Sequence, residues 1–336
     1  MNILIITLSR DNDSIQTVQD FLEQDGHRVF RLNSDLYPTD IFMTAKYVAG
    51  NKHLYLKSPD FEVDLNTIDA IWYRRLDFGL NLPKDLEQQI YQASIQEAKR
   101  TMMGMIDSLQ VFTIDPYTKI RYTENKQLQL QIASQLGFEI PKTIFTNDEQ
   151  AVKDFCDQVG APIITKMQHS FAIYENGEEN VVFTNEITKE QLNDLEGLDL
   201  CPMTFQEKVE KKLELRLTIV GNKIFTASID PKLSALSHTD WRRDGRGLSQ
   251  HWEIYELPEA IAQKVLQLMD TLGLNYGAAD IIVTPDDRYV FLEVNPAGEF
   301  FWLDKLFDHQ ISKALAGVLA NRLPRRANSI PMPILA

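Results

Sequence analysis

Cysteine is scarce in this chain of 336 residues, and long apolar runs are missing. The two cysteines, Cys156 and Cys201, cannot build a framework of several disulfides, and they do not have metal-ligand spacing. This pattern favours a cytoplasmic protein. No segment is apolar over the roughly 20 residues that a membrane-spanning helix needs. The first residues, 1–6, lack the basic region and the cleavage site of a signal peptide, so we expect a first strand there and no membrane association.

Basic residues are also in short supply, with 34 Lys and Arg against 48 Asp and Glu and a formal net charge of -14. Nucleic-acid binding requires a basic surface, so the composition argues against a nucleic-acid partner. A macromolecular partner is expected to be neutral or basic. A hydrophobic content of 44% over this length is enough for two or three packed domains.

The N-terminal part of the chain has the pattern of an α/β layer. Apolar strands near residues 3–8, 29–32 and 68–73 alternate with a helical pattern, which favours parallel strands. The last of these strands is followed by Arg74 and Arg75. Ligands bind at the carboxyl ends of parallel strands in open sheets, so this pair is a candidate substrate contact. Two solvated arginines are the alternative.

The rest of the chain has the pattern of mixed α+β units. A helix capped by Thr123 carries an apolar stripe of Leu128, Ile132 and Leu136. Later strands flank an Asn176-Gly177 turn, as in a hairpin, and an acidic helix follows from Thr188. The predicted organisation is an N-terminal domain at 1–115, a central unit at 116–204, a C-terminal unit at 205–322 and a proline-broken, mobile tail at 323–336.

Two predicted strands near the C-terminus place acidic residues among apolar ones. Residues 278–284 and 289–295 flank a Pro-Asp-Asp-Arg turn. A four-residue loop puts Thr284 opposite Tyr289, and counting four positions along each strand then sets Asp280 against Glu293. Asn295 shares the face of Glu293. Two such close carboxylates repel unless a cation lies between them, and oxygen ligands of this kind suit Mg2+. The alternative is a hairpin whose acids face solvent.

Other residues favour a bound nucleoside triphosphate. Lys126 lies in the first turn of its helix, where anions are stabilised, and Lys166 ends an apolar strand. Taken singly, each lysine is also compatible with a surface role. Strand alternation places Glu214, Arg216 and Thr218 on one face. A carboxylate there can accept from ribose hydroxyls and an arginine can bind phosphate, although an exposed edge strand has the same pattern.

These residues together resemble the ATP-grasp fold, in which two α+β units hold ATP between them. The resemblance implies an N-terminal pre-grasp domain and ATP between the central and C-terminal units. It implies that Lys126 and Lys166 bind phosphates, and that Glu214 binds the ribose. The Gln206, Glu207, Lys208 and Val209 segment would contact adenine, chiefly through the backbone of Glu207 and Val209. Asp280, Glu293 and Asn295 would hold one or two Mg2+ ions.

A narrower resemblance covers nearly the whole chain. The sequence is similar to microviridin-type peptide macrocyclases, also called graspetide synthetases, and is nearer to their ester-forming branch. These enzymes join side chains of a ribosomal precursor peptide, which they recruit through a leader segment, and the resemblance also leaves room for a homodimer. The motifs that carry it are Ser9-Arg-Asp-Asn-Asp13, Trp72-Tyr-Arg-Arg75, Asn125-Lys-Gln-Leu-Gln-Leu130, Cys201-Pro-Met-Thr-Phe-Gln206, Asp240-Trp-Arg-Arg243, Tyr276-Gly277 and Asn295-Pro-Ala-Gly-Glu-Phe-Phe-Trp302.

The resemblance implies a ligase that phosphorylates Asp or Glu side chains of the peptide and joins them to Thr or Ser hydroxyls. Arg216 and Lys166 are the predicted catalytic residues, with Arg74, Arg75 and Arg243 guiding the acidic peptide. The acidic span 175–199, including Asp194 and Asp199, is the candidate leader-docking surface, although a charge run is also typical of a solvated face. The alternatives are ω-amide formation with Lys, ligation of a small amino acid, and a nucleotide-binding regulator without turnover.

Overall fold

The computed structural model describes residues 1–168, 172–175, 178–181, 184–233 and 251–326. Three earlier predictions concern residues outside these ranges. They are the substrate role of Arg243 with its Asp240-Trp-Arg-Arg243 motif, the Asn176-Gly177 turn, and the mobility of residues 327–336.

The described strands and helices are numbered here in chain order. The strands are β1 (Asn2–Thr7), β2 (Arg28–Asn33), β3 (Phe42–Val48), β4 (Asn51–Lys57), β5 (Glu62–Asp64), β6 (Ala70–Tyr73), β7 (Phe112–Ile114), β8 (Thr143–Thr146), β9 (Ile163–Lys166), β10 (Ala172–Glu175), β11 (Glu178–Val181), β12 (Asn185–Glu186), β13 (Met203–Glu207), β14 (Leu213–Val220), β15 (Lys223–Ile229), β16 (Glu253–Ile254), β17 (Tyr276–Val283) and β18 (Tyr289–Asn295). The helices are α1 (Ser14–Gln24), α2 (Gln88–Asp107), α3 (Tyr117–Thr123), α4 (Lys126–Gln135), α5 (Glu149–Val159), α6 (Lys189–Asn193), α7 (Glu259–Leu272), α8 (Phe301–Leu306) and α9 (Gln310–Leu319).

The N-terminal domain is built on a parallel sheet, as the sequence predicts. Its strand order is β2-β1-β6-β7, and all three pairings are parallel. Alternate residues of β1 enter different cores, since Ile3 and Ile5 pack with α1 and α9 while Leu4 and Ile6 pack with α2. Burial on both faces explains the continuous apolar run of this strand. A second, antiparallel sheet of β3, β4 and β5 lies in the same domain and was not identified from the sequence.

The central unit is a sheet of order β12-β9-β13-β8 that packs against α5. Phe205 is buried in its core, and the whole of β13 pairs with β8 and β9. The predicted boundary between residues 204 and 205 is therefore wrong, because it cuts through this strand. The crossing to the C-terminal unit comes after Glu207. The predicted hairpin is present, with β10 and β11 antiparallel, and the acidic helix α6 begins after a Thr188 capping box.

The C-terminal unit is an antiparallel sheet of order β16-β15-β14-β17-β18. One face is apolar and is covered by α7 and α4, whose Ile132 and Ala133 are buried against it. The prediction that α4 belongs to the central unit is wrong. The central core is already filled by α5, so the apolar stripe of α4 is buried on the C-terminal sheet instead.

The N-terminal and C-terminal parts share a core. Helix α9 packs on β1, β6 and α1 as well as on β14 and β15. The chain beyond it is held as far as Arg326, whose guanidinium donates to Gly221 O at 2.9 Å and whose backbone N–H donates to Asn275 Oδ1 at 2.7 Å. The prediction of a mobile tail from residue 323 is therefore wrong for residues 323–326, because a buried arginine anchors them. None of the helices in the described ranges is both long enough and apolar enough to cross a membrane.

Candidate active site

The polar face of the C-terminal sheet carries the residues expected to bind nucleotide. Strand β14 alternates as predicted, with Leu215, Leu217 and Ile219 buried in the apolar core. Residues of even number therefore lie on the other face. Arg216 pairs with Asp280 across β14 and β17. Glu293 pairs with Asp280 across β17 and β18, so the three side chains lie in one row across three strands.

The hairpin register is right at the site but wrong at the turn. Asp280 lies opposite Glu293 as predicted, whereas Val283, not Thr284, lies opposite Tyr289. Thr284 N–H donates to Arg288 O at 3.0 Å, so Thr284 lies opposite Arg288 and the loop between them is one residue shorter than the prediction assumed. A β-bulge between Asp280 and Ile281 restores the register. The two deviations cancel, and a bulge re-aims side chains in this way beside functional sites.

Arg216 is buried and is held from two sides. Its Nη1 donates to both oxygens of Asp280 at 2.9 and 3.1 Å, and its Nη2 donates to Glu299 O at 3.0 Å. Its guanidinium also lies 5.7 Å from the centre of the Trp302 ring. Contacts at both terminal nitrogens, with different acceptors, fix the guanidinium in direction as well as position. Arg216 is thus a fixed positive charge beside the carboxylates.

Lys126 reaches the same row from α4. Its Nζ lies 3.0 Å from Glu293 Oε2. Asn125 caps the helix by accepting from Leu128 N–H at 3.1 Å, so the predicted cap by Thr123 is wrong. Buried Gln129 then joins α4 to β18, since its Oε1 accepts from Val294 N–H at 3.0 Å and its Nε2 donates to Val294 O at 2.7 Å. This amide pair fixes the helix register, so Lys126 faces Glu293.

Residues 206–208, where the chain crosses to the C-terminal unit, use their side chains in contacts within the central unit. Gln206 donates to Thr143 Oγ1 at 2.8 Å, and Glu207 accepts from Lys142 N–H at 3.0 Å. Lys208 forms an ion pair with Glu186 at 2.5 Å. Since these side chains are used within the sheet, the predicted contact of this segment with adenine would depend on its backbone, and it stays a prediction. Val209 continues the segment towards β14.

The other predicted phosphate lysine and the predicted ribose residue lie on different units. Lys166 ends β9 opposite Thr204 in the central sheet. Glu214 opens the polar face of β14, where it is buried and pairs with Lys211 at 3.0 Å. The carboxylate of Glu214 is therefore held in position by a cation.

The donor set of the predicted metal site fits Mg2+. Asp280 and Glu293 are cross-strand neighbours, and Asn295 lies two residues further on the same face. The described parts of the chain contain no group of three or more His, Cys, Asp and Glu side chains suited to a metal, so the site depends on the Asn295 amide. Its Oδ1 accepts from Ala297 N–H at 3.0 Å and is thereby oriented. Two carboxylates and an amide oxygen suit a hard cation that keeps water and phosphate ligands.

The two arginines after β6 differ, because Arg74 is buried and Arg75 is partly exposed. Arg74 is 2% exposed, donates to Ala297 O at 2.8 Å and pairs with Glu299 at 2.5 Å. Arg75 also pairs with Glu299, while 40% of its side chain is exposed. A direct substrate contact by Arg74 is not compatible with its burial in an ion pair. Arg75 remains a candidate substrate contact. Burial and the neighbouring positive charge of Arg74 lower the pKa of Arg75.

The predicted docking acids lie next to a cavity of about 320 Å³ in the central unit. Asp194 lines it at the end of α6, together with Leu198, Met203 and Phe205. Asp199 lies nearby, where its backbone oxygen accepts from Asn147 Nδ2 at 3.3 Å. An acidic rim beside an apolar floor is a suitable surface for an amphipathic segment.

Comparisons with known proteins bear on the fold and the family. A family model described as the MvdD pre-ATP grasp domain matches residues 2–121. A RiPP-associated ATP-grasp ligase of Chryseobacterium gregarium, solved with ADP and a leader and core peptide, is 39% identical, with a TM-score of 0.94, over 98% of this chain and 99% of that one. Macrocyclase MdnC of Microcystis aeruginosa MRC, solved with precursor peptide MdnA, is 46% identical, with a TM-score of 0.87, over 96% of this chain and 100% of that one.

This chain belongs to the RiPP-associated ATP-grasp ligases. The predicted ATP-grasp fold with its pre-grasp domain is confirmed, and the protein is an ATP-grasp ligase. A curated relative of Desulfotalea psychrophila, described as a probable alpha-L-glutamate ligase, is 21% identical over 281 residues. The chain spans 56% of the length of that relative.

Two residues of the candidate site in this ATP-grasp ligase, Gln129 and Glu299, were not predicted from the sequence. Gln129 was missed because a polar residue in a helix pattern is taken for a surface position. Glu299 was missed although it stands in a quoted motif, because its partners Arg74 and Arg75 lie in another domain. The sequence signal for Glu299 was its place in that motif, as an acidic residue shortly after β18, the strand that carries Glu293 and Asn295.

Proposed function

We propose that this ATP-grasp ligase uses ATP and Mg2+ to join Asp or Glu side chains of a ribosomal precursor peptide to Thr or Ser hydroxyls, forming ω-ester rings. The observation that carries the proposal is the intact row of Arg216, Asp280, Glu293 and Lys126. It occurs in a chain that matches, over 98% of its length, a ligase solved with ADP and a leader and core peptide.

Activation of the carboxylate is the chemical problem that the site has to solve. A carboxylate is a poor electrophile, so its oxygen first attacks the γ-phosphorus of ATP, and ADP leaves. The hydroxyl oxygen of Thr or Ser then attacks the carbonyl carbon of the acyl phosphate and loses its proton, and inorganic phosphate leaves. Each ring therefore costs one ATP and removes the elements of one water from the peptide. The protein supplies position and charge.

The residues of the row, together with Lys166, Glu214 and Asn295, have distinct roles in this proposal. Lys126 and Lys166 bind phosphate oxygens, one from each unit of the grasp. Arg216, already fixed by Asp280, stabilises the negative charge that develops on the acyl phosphate and on the tetrahedral oxyanion. Glu214 binds the ribose. Asp280, Glu293 and Asn295 would hold Mg2+, which supplies charge neutralisation on the phosphates.

Peptide recognition would use two further surfaces. We propose that the acidic rim at Asp194 and Asp199 binds a basic or amphipathic leader. Arg75 and Arg243 would receive the acidic core, and Arg243 lies outside the described residues. Charge reversal of Asp194 and Asp199 to lysine should weaken leader binding and leave ADP binding unchanged. Unaltered affinity for the leader, measured by fluorescence anisotropy, would remove this surface from the proposal. A homodimer is also proposed, and light scattering of the purified protein tests it.

One observation favours a second candidate function, the ligation of a free amino acid. It is the similarity to the probable alpha-L-glutamate ligase, although identity is only 21%. A nucleotide-binding regulator without catalytic activity would be expected to lack one of the nucleotide-binding or metal-binding residues. Every predicted lysine and metal-binding residue is present in the chain. The peptide reading is favoured because the more similar relatives were solved with peptides.

The test is to incubate the protein with ATP, Mg2+ and the precursor peptide encoded beside its gene, followed by fragmentation mass spectrometry. We expect the loss of one water per ring, and no loss with an Asp280→Ala, Glu293→Ala double variant. Rings opened by mild alkali are esters, whereas resistant rings that involve Lys are amides. Glutamate-dependent ADP release without any change in the peptide mass would favour the second candidate.

A further inference from the structure

The loop that follows the metal strand joins three parts of the molecule. Ala297 O accepts from Arg74 of the N-terminal domain at 2.8 Å. Gly298 O accepts from the Tyr276 hydroxyl at 2.6 Å, and Glu299 O accepts from Arg216 at 3.0 Å. Consecutive carbonyl oxygens thus bind donors from β17, β14 and the end of β6. The loop is fixed from both domains.

The side chain of Glu299 adds a second set of contacts. Its Oε1 pairs with the guanidinium groups of Arg74 and Arg75, and its Oε2 accepts from Asn12 Nδ2 at 2.8 Å. The backbone of the same residue contacts Arg216. Arg75 and Arg216 therefore lie within the reach of a single residue. Glu299 is the link between the N-terminal arginines and the arginine of the polar sheet face.

Close packing leaves no room for a side chain at Gly298 in this loop. A Cβ on Gly298 would lie 2.5 Å from the Cβ of Ala278 and 2.9 Å from Arg216 Nη2. Real Cβ atoms are not found so close to other atoms, so the loop backbone lies directly against the arginine. Small displacements of Glu299 would therefore be transmitted to Arg216.

Charge explains why a carboxylate is needed at Glu299. Arg74 and Arg75 are adjacent like charges, and Arg74 is buried. A buried guanidinium without a counter-charge is strongly destabilising. Asp11 lies 3.8 Å from Arg75 and contributes a weaker contact. Glu299 thus compensates Arg74 and at the same time fixes the direction of Arg75, whose exposed part is the only one of the pair that a peptide can reach.

We propose that Glu299 is a positioning residue that presents Arg75 to the acidic side chain of the peptide beside Arg216. This rests on the proposed function, since it assigns the peptide carboxylate to Arg75. Glu299 would act through Arg75 and would not contact ATP. The carboxylate to be activated would then lie between two guanidinium groups held by one residue.

A double-mutant cycle tests this role. The variants are Glu299→Gln, Arg75→Ala and their combination. Affinity for the acidic core peptide and for ADP is measured on each, as well as kcat and KM for ring formation. We expect Glu299→Gln to weaken peptide binding roughly tenfold and to leave ADP binding unchanged. The combined variant should bind peptide no worse than Arg75→Ala alone, because both changes remove the same contact.

Two further variants separate positioning from folding. Glu299→Asp keeps the charge that Arg74 needs but shortens the side chain, so its melting temperature should stay near that of the wild type while peptide affinity falls. Glu139→Gln is the matched control, since it removes a carboxylate from the exposed ion pair with Arg288. Exposed pairs contribute little, so it should behave as the wild type.

The outcomes distinguish this proposal from the proposed function. Independent, additive losses in the cycle, or an equal loss of ADP affinity, would overturn the positioning role. So would unchanged peptide affinity in Glu299→Gln. Because binding is measured apart from ligation, a wild-type protein that binds acidic peptide but forms no rings contradicts the proposed function and leaves the Glu299 comparison decisive.

Discussion

At the scale of single residues, the predicted site is a row of alternating charges. Arg216 contacts Asp280, and Lys126 contacts Glu293. Each carboxylate expected to bind a metal thus already has a cation of the chain as its neighbour. A divalent ion that approaches must share a carboxylate with that cation, whereas phosphate offers Lys126 a new partner. Metal and nucleotide binding should therefore be coupled.

This coupling predicts opposite effects for one substitution. In Lys126→Met, Glu293 loses its competing cation, so Mn2+ should bind severalfold more tightly in the absence of nucleotide. ADP loses a phosphate contact and should bind roughly tenfold more weakly. Electron paramagnetic resonance measures the Mn2+ affinity and calorimetry measures the ADP affinity.

Lys212→Met is the control, since it removes a lysine from an exposed ion pair with Asp287. Neither affinity should change in that variant. A loss of both affinities in Lys126→Met would contradict the coupling, because it would mean that Lys126 supports the site only structurally.

At the scale of elements, a buried side chain, Gln129, joins helix α4 to β18. Gln129 makes both hydrogen bonds of an amide pair with the backbone of Val294. Its Nε2 also donates to Thr123 O at 2.6 Å. Since Glu293 and Asn295 flank Val294, the position of the phosphate lysine relative to the metal ligands depends on this contact.

We predict that Gln129→Ala lowers stability and nucleotide affinity together. The substitution leaves buried backbone groups of β18 unpaired, which costs about 1–3 kcal/mol. Urea denaturation gives the free energy of unfolding, and calorimetry gives the ADP affinity. Gln131→Ala on the exposed side of the same helix is the matched control and should change neither. A stability loss without any change in ADP affinity would show that α4 keeps its register by other contacts.

At the scale of the whole molecule, a buried carboxylate joins the N-terminal domain to the C-terminal sheet. Asp115, at the end of β7, accepts from Asn275 N–H at 3.0 Å and from Tyr276 N–H at 2.9 Å. Burial raises its pKa to about 6, against the lowering effect of these donors and of Lys119. Burial also lowers the pKa of Lys119, which donates to Gly273 O at 2.8 Å.

The raised pKa of Asp115 predicts a pH dependence of stability. The folded protein holds this proton up to about pH 6, whereas the unfolded chain releases it near 3.8. The stability contributed by this group is therefore present below about pH 4 and is lost as the pH rises through 6. The loss is about 3 kcal/mol at 1.36 kcal/mol per pKa unit.

Asp115→Asn isolates this contribution, since asparagine does not titrate. The free energy of unfolding of the wild type minus that of the variant should fall between pH 4 and pH 6.5. Urea denaturation across this range measures the difference, in which the effects of the other acids cancel. A difference that rises with pH would show that the donors outweigh burial.

Much of this site followed from the sequence because its determinants are local. The alternation of β14 put Arg216 on the polar face, and the position of Lys126 in the first turn of its helix made it a candidate anion contact. The register between Asp280 and Glu293 was right for an incomplete reason, since the turn and the bulge offset each other. A bulge leaves no mark in strand propensity, so only the folded hairpin showed it.

The sequence by itself determined the fold class, the family and the candidate residues of the charged row, because side-chain alternation and motif order are properties of short stretches. The tertiary structure alone decided that α4 belongs to the C-terminal sheet, that Arg74 is buried, and that Glu299 binds both N-terminal arginines. These contacts join residues from different domains. They depend on how whole surfaces pack, which no local pattern encodes.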